Sequence, residues 1–263
     1  MDGETGELFE KLVEIVKKLR APGGCSWDRE QTHESLRPNI IEEVYELVEA
    51  IDSKDYDAMK EELGDILLHV LFHADIEREA GRFDINDVIV GITSKLIRRH
   101  PHVFGETKVK DTEEILHNWE QIKLRERREN SSHASLLDGI PKSMPALLVA
   151  QRMQEKAARI GFDWEDIKDV LKKVHEELAE LEESIAKNER SSQTESELGD
   201  LIFAITNLAR FLGINAEMAL RKTNEKFSSR FRHIEKKLRE LGVENPTLEL
   251  MDKFWDEAKE HEE

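Results

Sequence analysis

Between residues 40 and 74 apolar and acidic positions alternate at helical spacing. Ile40, Val44, Leu47, Val48 and Ile51 recur every three or four residues, and Met59, Leu63, Ile66, Leu67 and Val70 repeat the pattern. That period lines one side of an α-helix, so the stretch predicts two helices joined by a polar turn at 52–57. A connection this short favours an antiparallel hairpin. At about 100° per residue from Ile40 and Met59, Glu43 and Glu62 fall about 60° to one side of the stripe, and Glu46 and Asp65 about 120° to the same side. Folding the hairpin gathers four carboxylates beside one seam.

The plan recurs in the second half. Val174, Leu178, Leu181 and Ile185 form a stripe flanked by Glu177 and Glu180, and Leu198, Leu201, Ile202 and Ile205 place Glu197 and Asp200 likewise. Further amphipathic helices are predicted at 8–19, 85–97 and 112–128. Between the repeats, residues 129–145 (ENSSHASLLDGIPKSMP) are rich in Ser and hold two prolines and a glycine, the composition of a linker. It divides the chain into 1–128 and 146–263.

Charge narrows the function classes. The 263 residues carry 57 acidic and 39 basic side chains, a formal net charge of −18, against the basic footprint of a general nucleic-acid binder. The single cysteine, Cys25, fits a reducing compartment, and no signal peptide or membrane-length apolar run appears. The expected location is cytoplasmic, with neither nucleic acid nor membrane as partner.

Charges that only flank a helix seam tend to be of opposite sign across it. Carboxylates on both sides need compensation, and a divalent cation with oxygen ligands supplies it. Mg²⁺ fits, because it takes a few carboxylates and keeps waters that phosphate replaces. The Glu-x-x-His pairs of a di-iron bundle are absent, since His69 lies four residues after Asp65 and seven after Glu62, and one cysteine does not make a zinc cluster. Lys95 and Arg99 share a helix face, either to complement the helix dipole or to bind phosphate. Lys226 and Arg230 repeat their spacing, and Trp255 follows them as Trp119 follows the first pair. His100 and His102 flank a proline and read as structural. The Trp27 segment, 25–32, is expected to be a loop that either holds a base or sugar or caps the bundle with Trp27 buried, and its composition favours the cap.

These residues match a known pattern. Glu42-Glu43-Val44-Tyr45-Glu46 followed by Glu61-Glu62-Leu63-Gly64-Asp65, with CSWDREQT (25–32), RRHPHVFGE (98–106), NWEQIK (118–123) and GFDW (161–164), resembles the MazG family of nucleoside triphosphate pyrophosphohydrolases across nearly the whole chain. The resemblance implies an all-α fold of two tandem helical-bundle domains, each four-helix-type active bundle completed by dimerisation into a homodimer. It implies Mg²⁺ ligands Glu43, Glu46, Glu62 and Asp65 in the first repeat and Glu177, Glu180, Glu197 and Asp200 in the second. It also implies Lys226 and Arg230 as the phosphate-binding pair and Trp255 as the aromatic of the nucleotide site. Lys95, Arg99 and Trp119 follow by internal analogy. One departure is Ser196, which stands where the first repeat has Glu61.

The expected activity is Mg²⁺-dependent hydrolysis of ribo- and deoxyribonucleoside triphosphates to monophosphate and pyrophosphate, a housecleaning role in nucleotide pools. Mg²⁺ polarises phosphoryl oxygens and orients water, Lys226 and Arg230 stabilise the leaving group, and Glu42 and Glu176 are candidate general bases. No P-loop is present. The alternatives are an acidic helical scaffold without catalysis and a dUTP-selective pyrophosphatase.

Overall fold

The computed structural model describes residues 3–130, 135–188 and 190–260, and every regular element among them is an α-helix. Packing separates two compact units, Met1–Asp111 and Thr112–Glu263. This division lies ahead of the linker read from composition at 129–145, of which residues 131–134 fall outside the described residues.

The first unit runs α1 (Gly3–Arg20), α2 (Ser26–Glu30), α3 (His33–Ser53), α4 (Tyr56–Glu79), α5 (Ile85–Arg99) and α6 (Pro101–Phe104). The helix predicted from Ile40 starts earlier, because Thr32 and Ser35 form a reciprocal capping box that satisfies its first amides. The hairpin turn is made by Lys54 in the left-handed region (φ 58°) and by Asp55, whose Oδ1 accepts from the Asp57 and Ala58 amides. Val16, Leu36, Leu71, Phe72, Ala74 and Ile85 form the core where α1, α3, α4 and α5 meet. Arg20 is buried beside it, donating from Nε to Asp75 Oδ2 at 3.1 Å, from Nη1 to the Asp28 carbonyl at 2.7 Å and from Nη2 to Glu79 at 2.9 Å. This side chain ties α1, α2 and α4 together.

Glu77, near the end of α4, is buried and bonded to Arg82 and to His33 Nε2. Those partners hold its carboxyl at about 2, below the usual 4.5. A depressed carboxyl contributes stability that is complete above the unfolded value and lost as pH falls through the folded one. The Glu77→Gln variant is therefore expected to be less stable than wild type at neutral pH, with the difference shrinking from about pH 4.5 downward and gone only below about 2. Urea denaturation across that range checks it.

The hairpin stripes are only partly covered within one chain: Val44, Ile51, Leu63 and Leu67 remain substantially exposed, because two helices cover only part of each other's surface. One sequence expectation changes. The 25–32 loop contains the short helix α2, and Trp27 on it is 62% exposed rather than a buried cap. Arg20 binds the backbone of that helix, so the ring is not needed to anchor it.

The second unit runs α7 (Thr112–Asn130), α8 (Ala146–Ala158), α9 (Ile167–Lys187), α10 (Ser192–Phe211), α11 (Ala216–Leu241) and α12 (Leu248–Glu260). α9 and α10 form the second acidic hairpin, with α8 packed on α10. Ser191 caps α10 by accepting from the Thr194 amide, and Thr194 Oγ1 meets Ser184 Oγ of α9 at 2.9 Å, which pins the turn. α11 leaves α10 at 104° and pairs with α12. Gln151 on α8 anchors the bend, its Oε1 accepting from the Ala216 amide at 3.0 Å. No single helix among the described residues is long and apolar enough to cross a membrane.

Candidate active site

Each hairpin converges its carboxylates. In the first unit ligand oxygens of Glu43, Glu62 and Asp65 lie within 4.8 Å of one another, and in the second those of Glu177, Glu197 and Asp200 do the same. Glu46 and Glu180, the fourth members by sequence, are exposed and lie outside these triplets. They remain close enough to act through charge. Desolvation and then Asp65 and Glu46 raise the Glu43 carboxyl, desolvation and then Glu46 and Glu43 raise Glu62, and desolvation and then Glu177 raise Glu180. Like charges held this near favour a neutralising partner, and an all-oxygen donor set suits a hard divalent cation. The residues present thus fit a metal of the magnesium class.

The surroundings differ between units. In the second, a cavity of about 580 Å³ opens beside Glu177 and Asp200, walled by Phe162, Trp164 and Phe203 among others. Lys173, one turn before Glu177, places Nζ 2.7 Å from both Glu176 and Glu177, and these two acids raise its ammonium pKa. In the first unit the positions four and seven residues after Asp65 are His69 and Phe72, both buried, where the second unit has Ala204 and Asn207 after Asp200. Small and polar residues keep the cavity open in one repeat, and two rings occupy the matching helix face in the other. His69 Nε2 stands 4.0 Å from Glu43, and burial lowers its pKa, so it adds a neutral ring rather than a cation.

On α11 and α12, Arg230 lies over the Trp255 ring at 5.4 Å and Phe227 meets the same ring at 5.1 Å, while Lys226 is exposed. This cation and aromatic cluster is absent from the described lining of the cavity. In the first unit Lys95 is exposed and Arg99 half-buried on the last turns of α5, and His100 Nδ1 bonds the Leu96 carbonyl at 2.7 Å, the structural role expected of it. Trp119 carries Lys123 4.2 Å over its ring, and α7, which bears both, groups with the second unit rather than the first.

A model of the MazG nucleotide pyrophosphohydrolase domain matches the chain twice, over residues 31–104 and 165–235. The chain belongs to the MazG family. It is 50% identical over 258 residues to the nucleoside triphosphate pyrophosphohydrolase/pyrophosphatase MazG of Thermotoga maritima, covering 97% of each chain. It is 44% identical over 258 residues to the nucleoside triphosphate pyrophosphohydrolase of Escherichia coli K12, covering 97% of this chain and 98% of that one. An uncharacterized Bacillus subtilis protein, YabN, is 50% identical over 256 residues, 97% of this chain but 52% of its own length.

Within the MazG repeats, Ser196 is exposed and outside the Glu177, Glu197 and Asp200 triplet, so its departure from Glu61 removes no member of the cluster. Glu42 and Glu176 are exposed beside their triplets, and Glu176 is engaged by Lys173. The acidic signature did not reveal Lys173, although its spacing of three and four residues from Glu176 and Glu177 is visible in the sequence. Gln154, Asn207 and Arg210 carry no local signal and emerge only when α8 and α10 pack.

Proposed function

We infer that the protein hydrolyses nucleoside triphosphates to nucleoside monophosphate and pyrophosphate, and that the second unit carries the turnover. The observation behind this is the Glu177, Glu197 and Asp200 triplet beside an aromatic-walled cavity large enough for a nucleoside, in a chain of this family. Glu177, Glu197 and Asp200, with Glu180 at their flank, would hold Mg²⁺, which supplies Lewis-acid polarisation of phosphate oxygens and an acidified water. Lys173 pairs with Glu177 at 2.7 Å and stations a positive charge at the phosphate end of the cavity. Glu176 accepts the proton of the attacking water. Lys226 and Arg230 neutralise the departing pyrophosphate, and Trp255 orients Arg230.

Because those last residues do not line the cavity of their own chain, the site is completed in a homodimer, where a second copy contributes its α11 and α12. The half-exposed apolar stripes of both hairpins, including Leu178, Ile185, Leu198 and Ile202, supply the surface such a dimer buries. Glu177→Gln and Arg230→Ala are each expected to be inactive alone. After subunit exchange, mixing them restores about a quarter of wild-type activity, because one site in each mixed dimer is intact. No restoration would place Arg230 and Glu177 of one chain in the same site.

The function is tested by turnover of ribo- and deoxyribonucleoside triphosphates, including the inosine and deoxyuridine forms, with Mg²⁺ and then with chelator. Turnover of several bases that chelation abolishes is expected. Turnover of the deoxyuridine form alone would make the enzyme dUTP-selective, and none at all would leave an acidic scaffold. A nucleotide-pool enzyme of this kind belongs in the cytoplasm.

A further inference from the structure

Two amides among the residues lining the second unit's cavity are locked in orientation, and each keeps one hydrogen-bonding group without a partner among the described residues. Arg210 clamps Asp163 with both terminal nitrogens, at 2.9 and 2.5 Å, and donates from Nε to Asn207 Oδ1 at 2.8 Å. Guanidinium nitrogen only donates, so Asn207 must turn its oxygen to Arg210 and present Nδ2, a donor, elsewhere. No acceptor among the described residues takes it. Opposite in chemistry is Gln154 on α8, 8% exposed, whose Nε2 donates to the Phe203 carbonyl at 2.8 Å. Its Oε1 is thereby fixed as an acceptor, and it is buried with no hydrogen-bond partner. A buried acceptor left unmade is costly, which marks this wall as built for a ligand rather than for packing alone.

Position says which part of the ligand. Asp200, Phe203, Ala204 and Asn207 share a face of α10 at spacings of three, four and seven residues. Asn207 therefore stands two turns, about 10 Å, along the helix from the metal-ligand position at Asp200. That is too far for phosphates held at the acidic triplet, and it suits the base at the other end of a nucleotide. The aromatic rings of Phe162, Trp164 and Phe203 line the same cavity, as a base face requires.

We propose that Asn207 is a specificity-determining residue that donates from Nδ2 to an acceptor on the substrate's base, with Gln154 Oε1 as the partner for a base N–H. The Asp163–Arg210 clamp acts as the positioning element that fixes Asn207 and carries the Phe162–Trp164 loop. This rests on the second unit being the site of triphosphate hydrolysis.

The test compares each nucleoside triphosphate with ribose 5-triphosphate, which has the same phosphates and no base, in wild type and in Asn207→Asp. The aspartate keeps an oxygen for Arg210 while replacing the donor with an acceptor, and any effect of its charge on the phosphates is common to both substrates and cancels in the ratio. The ratio of kcat/KM for nucleotide over ribose triphosphate is expected to fall about tenfold or more, mainly through KM. Asn207→Leu, which removes the donor without adding charge, shifts the ratio in the same direction. An unchanged ratio in both variants, with wild-type turnover intact, overturns the base-reading role and leaves the pyrophosphohydrolase reading standing. Absence of turnover of any triphosphate by wild type overturns both.

Discussion

Replacing Glu177 with Gln is expected to reduce kcat/KM for triphosphate hydrolysis by about a thousandfold, equivalent to about 4 kcal/mol of the stabilisation a bound metal would supply. Glu177 is the buried member of its triplet, and its oxygen is within 4.8 Å of those of Glu197 and Asp200. A glutamine of the same shape removes one negative charge and turns either a neutral oxygen or an N–H₂ toward the cation. Lys173 loses a partner at 2.7 Å but keeps Glu176, so the helix is not disturbed. Without metal the variant is expected to melt at or above the wild-type temperature, because one of several crowded like charges is gone. Lost activity with retained stability separates a ligand from a structural residue. The matching Glu43→Gln change in the first unit leaves turnover within about twofold, since His69 and Phe72 stand where the second unit has Ala204 and Asn207. A large loss from Glu43→Gln with little from Glu177→Gln would move the active repeat to the first unit.

The largest stability effect is expected at Asp75. It is 5% exposed and receives Arg20 on one oxygen and Arg78 on the other, at 3.1 and 2.7 Å. Asp75→Ala leaves the 3% exposed Arg20 with only the half-exposed Glu79 as counter-charge. Removing one partner of a buried pair costs about 3–5 kcal/mol, more than most single changes. The loss belongs to the first unit, so amide hydrogen exchange should accelerate along α1 and α4 while α9 and α10 stay protected. Replacing Arg20 with Met and Asp75 with Leu together should cost less than Asp75→Ala alone, because no charge is then stranded. Equal protection in Asp75→Ala and wild type would show that the pair contributes nothing to holding α1 on α4.

Both acidic hairpins were legible because their signal is local: a period near 3.6 with carboxylates at fixed offsets fixes which side chains share a flank. The triplets follow from that. The exposure of Glu46 and Glu180 does not, since the angle around one helix does not say how closely the partner helix approaches there. Trp27 is exposed rather than a buried cap for a related reason. Its segment was short and polar, and the contact that anchors it comes from Arg20, whose long side chain reaches the Asp28 carbonyl from another helix. The second-unit cavity is invisible in the sequence because its wall is shared: α10 supplies five residues, α8 three, α9 two and the 161–164 loop four, and only packing brings them together. The contrast with the first unit was available, however, as His69 against Ala204 and Phe72 against Asn207 at matching offsets.

These carboxylates and their cavity are expected to serve cleavage between the α and β phosphates. Phosphorus NMR of adenosine triphosphate incubated with the full chain and Mg²⁺ tests it most directly. The expected spectrum shows adenosine monophosphate and pyrophosphate rising together in equal amounts, with neither appearing after chelation. Adenosine diphosphate and orthophosphate in their place would contradict the account.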